Sequence, residues 1–223
     1  MICQTLLIFD CDGVLVDSER HIQAVDLRLI PPLGWPITVE EILTEHLGRP
    51  TEDVLANIER HIGRDLPSDF PIRRKNAYRD AVASGLEAVP GVADAIDTLV
   101  ETGYLTCVAS SGSPESIMFS LGKTGLLHRF GPNVFSGHQV PRGKPAPDLF
   151  LHAAQAMNAH PRSSVVIEDS PAGVAAARAA KIRVIGYASA TPARLLREAD
   201  LVIQHMRDLP DAVHTLLPPR SLR

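Results

Sequence analysis

The apolar residues of this chain fall into short, nearly continuous runs, each of which ends in polar or small residues. Runs of this length without alternation are typical of strands that are buried on both faces of a parallel sheet. The pattern predicts five strands: Thr5–Phe9, Leu105–Ala109, Val165–Ile167, Arg183–Tyr187 and a weaker Leu201–Ile203.

Apolar positions at helical spacing separate the later runs. One predicted face contains Val92, Ile96, Leu99 and Val100, and another contains Leu149, Phe150, Ala153 and Met157. The alanine-rich segment Pro171–Ala180 also favours a helix. Because strands and helices alternate, we predict an α/β fold built on a doubly wound parallel sheet.

One region breaks this alternation, since only helical or loop patterns occur from about Asp17 to Leu86. Helical faces or charged helical character are found in three segments: Ile22, Val25 and Leu29; Val54, Leu55 and Ile58; and Ile72–Ser84. Prolines and glycines separate these segments. We therefore predict an all-helical insert over residues 17–86 and a sheet-containing core domain over residues 1–16 and 87–223.

Composition and charge argue against several classes of protein. The chain has 22 basic and 26 acidic residues, a formal net charge of −4, whereas a nucleic-acid-binding protein usually carries a basic excess. No run of about 18 apolar residues would span a membrane, and the start lacks the charged segment of a secretory signal. We expect a cytoplasmic protein with a small-molecule partner; the pattern predicts no oligomeric state.

Three cysteines, Cys3, Cys11 and Cys107, lie in or beside apolar runs and form no CxxC pair. Their surroundings predict buried, reduced thiols rather than redox centres or metal ligands. The C-terminal segment Pro218–Arg223 is predicted to be a frayed tail.

Two acids follow the first predicted strand. Asp10 and Asp12 would lie at its carboxyl end, which is the edge of a parallel sheet that faces ligand. Carboxylates this close repel each other and need a cation or a shared proton. Gly13 then lets the chain leave the strand. The alternative interpretation is an ordinary turn at a strand end.

Small hydroxyl residues follow the second strand. Ser110, Ser111 and Gly112 lead to a helix whose expected N-cap is Ser113 and whose expected first residue is Pro114. Hydroxyls and free backbone N–H groups at such a junction can bind phosphate, although plain helix capping accounts for the same residues.

A cation and a second acidic pair complete the candidate site. Lys144, between Gly143 and Pro145 in a loop before a helix, could hold a fixed positive charge against a phosphate, although a surface lysine would give the same pattern. Glu168 and Asp169 end another buried strand, and with Asp10 and Asp12 they could form the oxygen cage that Mg²⁺ prefers. An acidic helix start is the alternative for this pair.

Taken together and in this order, the four motifs resemble the signature of the haloacid dehalogenase-like superfamily. The matching segments are FDCDGVLVDSE, KPAPDLF and IEDSPAG. The resemblance covers essentially the whole chain, because the helical insert is similar to the small cap of that family. Within the superfamily the chain resembles the branch of β-phosphoglucomutases and 6-phosphogluconate phosphatases.

The resemblance implies a role for each residue. Asp10 would be the nucleophile that accepts the phosphoryl group, and Asp12 would protonate the leaving group and then activate water. The Asp10 and Asp169 carboxylates and the Asp12 carbonyl would hold Mg²⁺, with Glu168 joining directly or through water. Phosphoryl oxygens would bind Ser110, the backbone of Ser111 and Gly112, and Lys144.

Several activities of the family remain open. Haloacid dehalogenases proper need neither the acid at Asp12 nor the magnesium cage, so phosphorus is the expected target. A phosphonate hydrolase would need a cap lysine, and Lys75 is the lysine of the insert. A non-catalytic phosphate-binding relative is opposed by the presence of Asp10, Asp12 and Lys144.

The choice between a phosphatase and a phosphomutase depends on the cap. Arg74-Lys75-Asn76 resembles a basic element of the mutases, but Thr51 and Ile22 stand where those enzymes carry a basic residue and a histidine. Residues 135–160 resemble the sugar-acid phosphatases. We therefore predict a Mg²⁺-dependent phosphatase of a sugar or sugar-acid phosphate, with Lys75, Thr51 and Arg49 as candidate substrate contacts in the cap.

Overall fold

The computed structural model describes residues 5–217, apart from the side chain of Ser84. Cys3 and the segment Pro218–Arg223 lie outside the described residues. The described strands form one six-stranded sheet in which every neighbouring pair is parallel, with the order β3-β2-β1-β4-β5-β6. They are β1 (Leu6–Phe9), β2 (Leu105–Ser110), β3 (Val134–Ser136), β4 (Ser164–Glu168), β5 (Arg183–Tyr187) and β6 (Leu201–Ile203).

Helices cover both faces of this sheet, which confirms the predicted doubly wound α/β fold. They are α5 (Val92–Glu101), α6 (Pro114–Lys123), α7 (Leu127–Phe130), α8 (Asp148–Ala156), α9 (Pro171–Ala179) and α10 (Leu209–Leu216). Within residues 5–217, none of the helices has the length and apolar character required to cross a bilayer.

Alternate residues of the central strand serve two separate cores. Leu7 and Phe9 pack with α5, α6, α7 and α10 on one face, whereas Leu6 and Ile8 pack with α8 and α9 on the other. Because side chains alternate across a strand, a run buried on both sides has no polar positions. The reduced thiols of Cys11 and Cys107 are buried in these cores, as predicted.

The insert between β1 and α5 is helical, as predicted. It contains α1 (Glu19–Leu29), α2 (Val39–Glu41) with a π-helical turn at Ile42–His46, α3 (Thr51–Ile62) and α4 (Phe70–Gly85). These helices, here called the cap, enclose an apolar cluster of their own that includes Trp35, Ile58 and Phe70. The C-terminal half of α4 instead contributes Val82 to the core beside the sheet.

The chain passes between cap and sheet at two adjacent points. The Asp17 backbone N–H donates to the Glu87 carbonyl at 2.9 Å, and Val16 forms an antiparallel bridge with Ala88. The Arg20 guanidinium donates to the Gly85 carbonyl at 3.2 Å. The two segments that connect the cap to the sheet domain are therefore hydrogen-bonded to each other.

Two details differ from the expectation. The short edge strand β3 was not predicted, because its three residues are too few for a recognisable pattern and Val134 and Phe135 are only half-buried. Val100 was placed on the buried face of α5 but is 46% exposed. The face of α5 that packs on the sheet consists of Val92, Ala95, Ile96 and Leu99.

Candidate active site

The predicted site residues meet at the carboxyl edge of the three central strands. Asp10 directly follows β1, Ser110 ends β2, and Glu168 ends β4. Since β1 lies between β2 and β4, these side chains converge at the edge where an open parallel sheet binds its ligands. Lys144 reaches the same point from the loop before α8.

Lys144 forms a buried ion cluster with two of these acids. Its Nζ lies 2.5 Å from Asp10 Oδ1 and 2.6 Å from Glu168 Oε1, and the side chain has no exposed surface. The ammonium also lies 4.9 Å from the centre of the Phe150 ring. Burial alone would lower the pKa of Lys144, but the Asp10 and Glu168 carboxylates raise it above its usual value. Lys144 is therefore a fixed positive charge.

Asp10 is the titratable member of this cluster. Burial raises its pKa to about 7; Lys144 acts in the opposite direction, and the neighbouring Glu168 and Asp12 add to the increase. Two acids beside a single cation leave a net negative charge in a low-dielectric pocket, where proton uptake relieves the repulsion.

Glu168 is held in place on both of its carboxylate oxygens. Oε1 accepts from Lys144, and Oε2 accepts from the backbone N–H and the hydroxyl of Ser170 at 2.7 and 2.8 Å. Gly173, in the first turn of α9, leaves room for this carboxylate, because a Cβ there would overlap Oε1. Of the four predicted metal ligands, Glu168 is thus the one with both carboxylate oxygens already bound by other groups.

Asp12 is oriented by two hydroxyl groups that the sequence did not single out. Its Oδ1 accepts from Ser18 Oγ at 2.6 Å and from the Tyr78 hydroxyl at 3.3 Å. Ser18 directly precedes α1, and Tyr78 comes from α4 in the cap. Their placement beside Asp12 depends on how these helices pack, and no spacing in the sequence signals it.

Two buried carboxylate oxygens in this region have no hydrogen-bonding partner among the described residues. They are Asp169 Oδ2 and Glu19 Oε1, and both approach Gly13, at which a Cβ would overlap them. Burial and then the Glu168, Asp12 and Asp10 carboxylates raise the pKa of Glu19 to about 8. Unpaired buried acids are stabilised either by a proton or by a bound cation.

The donor set fits Mg²⁺. Within residues 5–217, no three His, Cys, Asp or Glu side chains are arranged to hold a metal ion by themselves. The predicted set requires only two, since it combines the Asp10 and Asp169 carboxylates with the Asp12 backbone carbonyl. Mg²⁺ is commonly bound through one or two carboxylates, with water and substrate phosphate filling its other positions.

The predicted phosphate loop lies between β2 and α6. Ser110 is buried, and its Oγ accepts from the Gly112 backbone N–H at 3.1 Å. As predicted, Ser113 caps α6 and Pro114 begins it. The first turn of a helix offers free N–H groups and a positive dipole end, both of which favour an anion.

A loop of the cap, Leu47–Pro50, packs directly on this edge of the sheet. Ser111 Oγ donates to the Gly48 carbonyl at 3.0 Å. Gly48 has a φ of 72° and lies against Ser170, and Pro50 lies against Gly143; at either glycine a Cβ would overlap its neighbour. The cap therefore contacts the loops that carry Ser110, Lys144 and Asp169.

The substrate contacts predicted in the cap do not join the ion cluster. Arg49, Thr51 and Lys75 are exposed, and among the described contacts none of them bonds to Asp10, Asp12 or Lys144. Hydrogen bonds from its own backbone N–H and from Ser113 lower the pKa of Glu115, and the charges of His138 and Lys75 act in the same direction. Lys75 therefore lies in the neighbourhood of the start of α6.

Arg74, part of the basic element that resembles the mutases, is bound inside the cap. Its guanidinium donates to both carboxylate oxygens of Asp26 at 2.7 and 2.9 Å. This bidentate pair neutralises the charge of Arg74 inside the cap.

Known proteins are similar to this chain in sequence and in fold. The family model for haloacid dehalogenase-like hydrolases matches residues 7–187. The 6-phosphogluconate phosphatase of Escherichia coli is 31% identical over 171 residues, which cover 75% of each chain. Validoxylamine A 7'-phosphate phosphatase of Streptomyces hygroscopicus is 28% identical over 209 residues, which cover 91% of this chain and 94% of the relative.

A crystal structure of a haloacid dehalogenase-like protein from Agrobacterium tumefaciens also matches. It has a TM-score of 0.82 and 34% identity, and the match covers 96% of this chain and 99% of that one. Sequence and structure comparisons thus agree over nearly the full length.

Proposed function

The chain belongs to the haloacid dehalogenase-like hydrolase family and is a phosphoric monoester hydrolase; we propose that it cleaves a sugar or sugar-acid phosphate through a phosphoryl group held transiently on Asp10. The observation that carries this proposal is the buried contact of Lys144 with Asp10 and Glu168. A carboxylate that is oriented by a fixed cation at the ligand edge of the sheet is suited to attack phosphorus.

In the proposed reaction Asp10 attacks the phosphorus and the sugar oxygen leaves. Lys144, Ser110 and the N–H groups at the start of α6 offset the charge on the phosphoryl oxygens. Mg²⁺, held by Asp10, Asp169 and the Asp12 carbonyl, would supply further positive charge against the phosphate and the surrounding acids.

Asp12 is the proposed acid and base. The hydroxyls of Ser18 and Tyr78 both bind Oδ1, which leaves Oδ2 to donate a proton to the leaving alkoxide. The same oxygen would then accept a proton from the water that attacks the phosphoryl group on Asp10. This second step returns Asp10 as a free carboxylate and releases inorganic phosphate.

The substrate class is proposed from the relatives. One is named a 6-phosphogluconate phosphatase, another a phosphatase of validoxylamine A 7'-phosphate, and a third, of Escherichia coli, hexitol phosphatase A. The substrates that these names indicate share a polyhydroxylated carbon skeleton that carries one phosphate. We propose that the cap, residues 17–86, selects this skeleton, since its loop Leu47–Pro50 lies over the phosphate site.

Hydrolysis is favoured over phosphoryl return because Arg74 and position 51 of the cap supply no available cation for a second phosphate. A mutase must bind the second phosphate of a bisphosphate intermediate with cationic or bidentate donors. Arg74 is bound to Asp26, and Thr51 occupies the position where the mutases carry a basic residue. Water should therefore reach the phosphoryl group on Asp10 before a second sugar oxygen does.

A screen of phosphate release from a panel of phosphorylated sugars, sugar acids and polyols tests this proposal. Steady release is expected with Mg²⁺ and without a bisphosphate primer, and it should stop on addition of EDTA and resume with excess Mg²⁺. Full activity in EDTA would contradict the metal assignment. Isomerisation of β-glucose 1-phosphate that depends on glucose 1,6-bisphosphate, with little phosphate released, would instead identify a mutase.

A further inference from the structure

Four polar side chains, one from each helical segment of the cap, form a connected network. Asp26 of α1 accepts from Arg74 of α4 on both oxygens, and His46 Nδ1 lies 2.9 Å from Asp26 Oδ2. His46 Nε2 lies 3.2 Å from Oδ1 of Asn57 on α3. Asp26, His46 and Asn57 are 0, 4 and 8% exposed, so solvent supplies little of their hydrogen bonding.

The direction of each hydrogen bond follows from the neighbours. Asn57 Nδ2 donates to Glu45 Oε2 at 2.8 Å, which turns the amide oxygen of Asn57 toward His46. His46 therefore has a hydrogen-bond acceptor facing each of its ring nitrogens. The charged groups that face it are Asp26, Glu45 and Arg74.

Such a network contributes geometry more than net stability. Well-packed apolar residues often replace a buried ion pair without loss of stability, and an apolar cluster already lies beside it in the cap. What the polar contacts add is a defined direction between segments. His46 ends the π-helical turn Ile42–His46, and such turns are frequent at functional sites.

The loop that begins at this turn is the one that contacts Ser111 of the proposed phosphate loop. The Leu47 backbone N–H donates to the Ile42 carbonyl at 3.0 Å, and that of Arg49 donates to the His46 carbonyl at 3.2 Å. Gly48 then accepts from Ser111 Oγ. A change in the direction of His46 would therefore move Gly48 relative to the phosphate loop.

We propose that His46, fixed by Asp26 and Asn57, is a positioning residue that sets the placement of the cap loop Leu47–Pro50 and thereby the affinity for substrate. It acts through the backbone that follows it and has no contact with the reacting groups. The inference rests on the proposed phosphatase activity.

The test compares His46→Leu with Ile58→Val. His46→Leu removes both ring hydrogen bonds, and Ile58→Val deletes one methyl group from the same cap without altering the network. If His46 positions the loop, fewer molecules hold it in the binding arrangement, so the KM for 6-phosphogluconate should rise about tenfold while kcat stays within about twofold. Ile58→Val should leave KM unchanged. A fall in kcat with an unchanged KM in His46→Leu would show a purely structural role and overturn the inference.

Asn57→Leu provides a second variant if His46→Leu does not fold, and it should raise KM in the same way. Amide hydrogen exchange supplies a readout that does not depend on activity. The amides of residues 47–50 should exchange faster in both network variants than in wild type, but not in Ile58→Val. Unchanged exchange would overturn the positioning role, whereas normal exchange effects in a protein without phosphatase activity would contradict only the proposed function.

Discussion

The protein buries two ion clusters, one at the carboxyl edge of the sheet and one inside the cap, and they differ in how fully their charges are paired. In the cap, Asp26 is bound by Arg74 and His46. At the sheet edge, Lys144 is shared between Asp10 and Glu168, and Asp169 Oδ2 has no partner within the described chain.

The pKa values of the two aspartates shift in opposite directions for this reason. Burial raises the pKa of Asp10 to about 7, because one shared cation does not compensate for it. Burial also opposes ionisation of Asp26, but the hydrogen bonds from His46 and Arg74 outweigh it and lower the pKa. A fully paired cluster organises structure, whereas an underpaired one retains the capacity to bind a cation and to react.

Asp10→Asn should have the largest effect. The change keeps the size of the side chain but removes the attacking charge, so turnover should fall by several orders of magnitude, equivalent to about 4–7 kcal/mol. Folding should survive, because the variant removes one of two acids that compete for one lysine. The measurement is phosphate release together with circular dichroism. A variant that kept a tenth of wild-type activity would show that another residue is the nucleophile.

Asp26→Asn should reduce stability and leave turnover almost unchanged, which is the opposite of what we expect for Asp10→Asn. It leaves Arg74 and His46 without their shared carboxylate, which should lower the free energy of unfolding by about 3 kcal/mol, measured by urea denaturation. The kcat of the folded fraction should remain close to wild type. Asp97→Asn is a matched control, since Asp97 binds Arg129 in the same bidentate way but is exposed; its cost should be below about 1 kcal/mol. Equal costs would contradict the comparison.

Gly173→Ala should affect the sheet-edge cluster alone. The added methyl group would overlap Glu168 Oε1 and displace the carboxylate from Lys144. We expect a loss of kcat of roughly 30-fold, about 2 kcal/mol. Gly122→Ala is the control, because it also lies in a helix but has no atom within 4 Å of its added Cβ; it should leave kcat unchanged and slightly increase stability. If the two variants had similar kcat values, the proposed role of Gly173 in leaving room for the Glu168 carboxylate would be contradicted.

The fold and the ion cluster at the sheet edge could be predicted because their signals are local. Buried strands are continuous apolar runs, and Asp10, Lys144 and Asp169 each lie within a few residues of a strand or helix end. The contacts made by the cap could not be predicted in this way. Asp26 and Arg74 are 48 residues apart, and no periodicity links them, so their pairing inside the cap could not be predicted from the sequence.

The same limit applies to the groups around Asp12. Ser18 and Glu19 belong to the first motif, yet their burial and the approach of Glu19 to Gly13 depend on the path of α1 after the strand. Tyr78 lies 66 residues from Asp12. Site residues at the ends of strands can therefore be predicted from the sequence. Site residues that the cap supplies can be identified only when the packing of its helices is known.

Taken per pH unit, the smallest expected effect is the change of stability with pH, and it should differ in sign between the two clusters. Between about pH 4 and 7 and without metal, the folded protein holds a proton on Asp10 that the unfolded chain has released, so stability should decrease as the pH rises. Asp26 affects stability below about pH 4. There Asp26 takes up a proton more readily in the unfolded chain than in the folded protein, so stability is lost as the pH falls. Each group can contribute a slope of at most about 1.4 kcal/mol per pH unit.

Urea denaturation of wild type, Asp10→Asn and Asp26→Asn in EDTA across this pH range separates the two contributions. Asp10→Asn should reduce the decrease above pH 4, and Asp26→Asn should reduce the loss below it. If both substitutions altered the same pH window, the two clusters would not differ in the pairing of their charges, and the contrast between a reactive site and a structural network would fail.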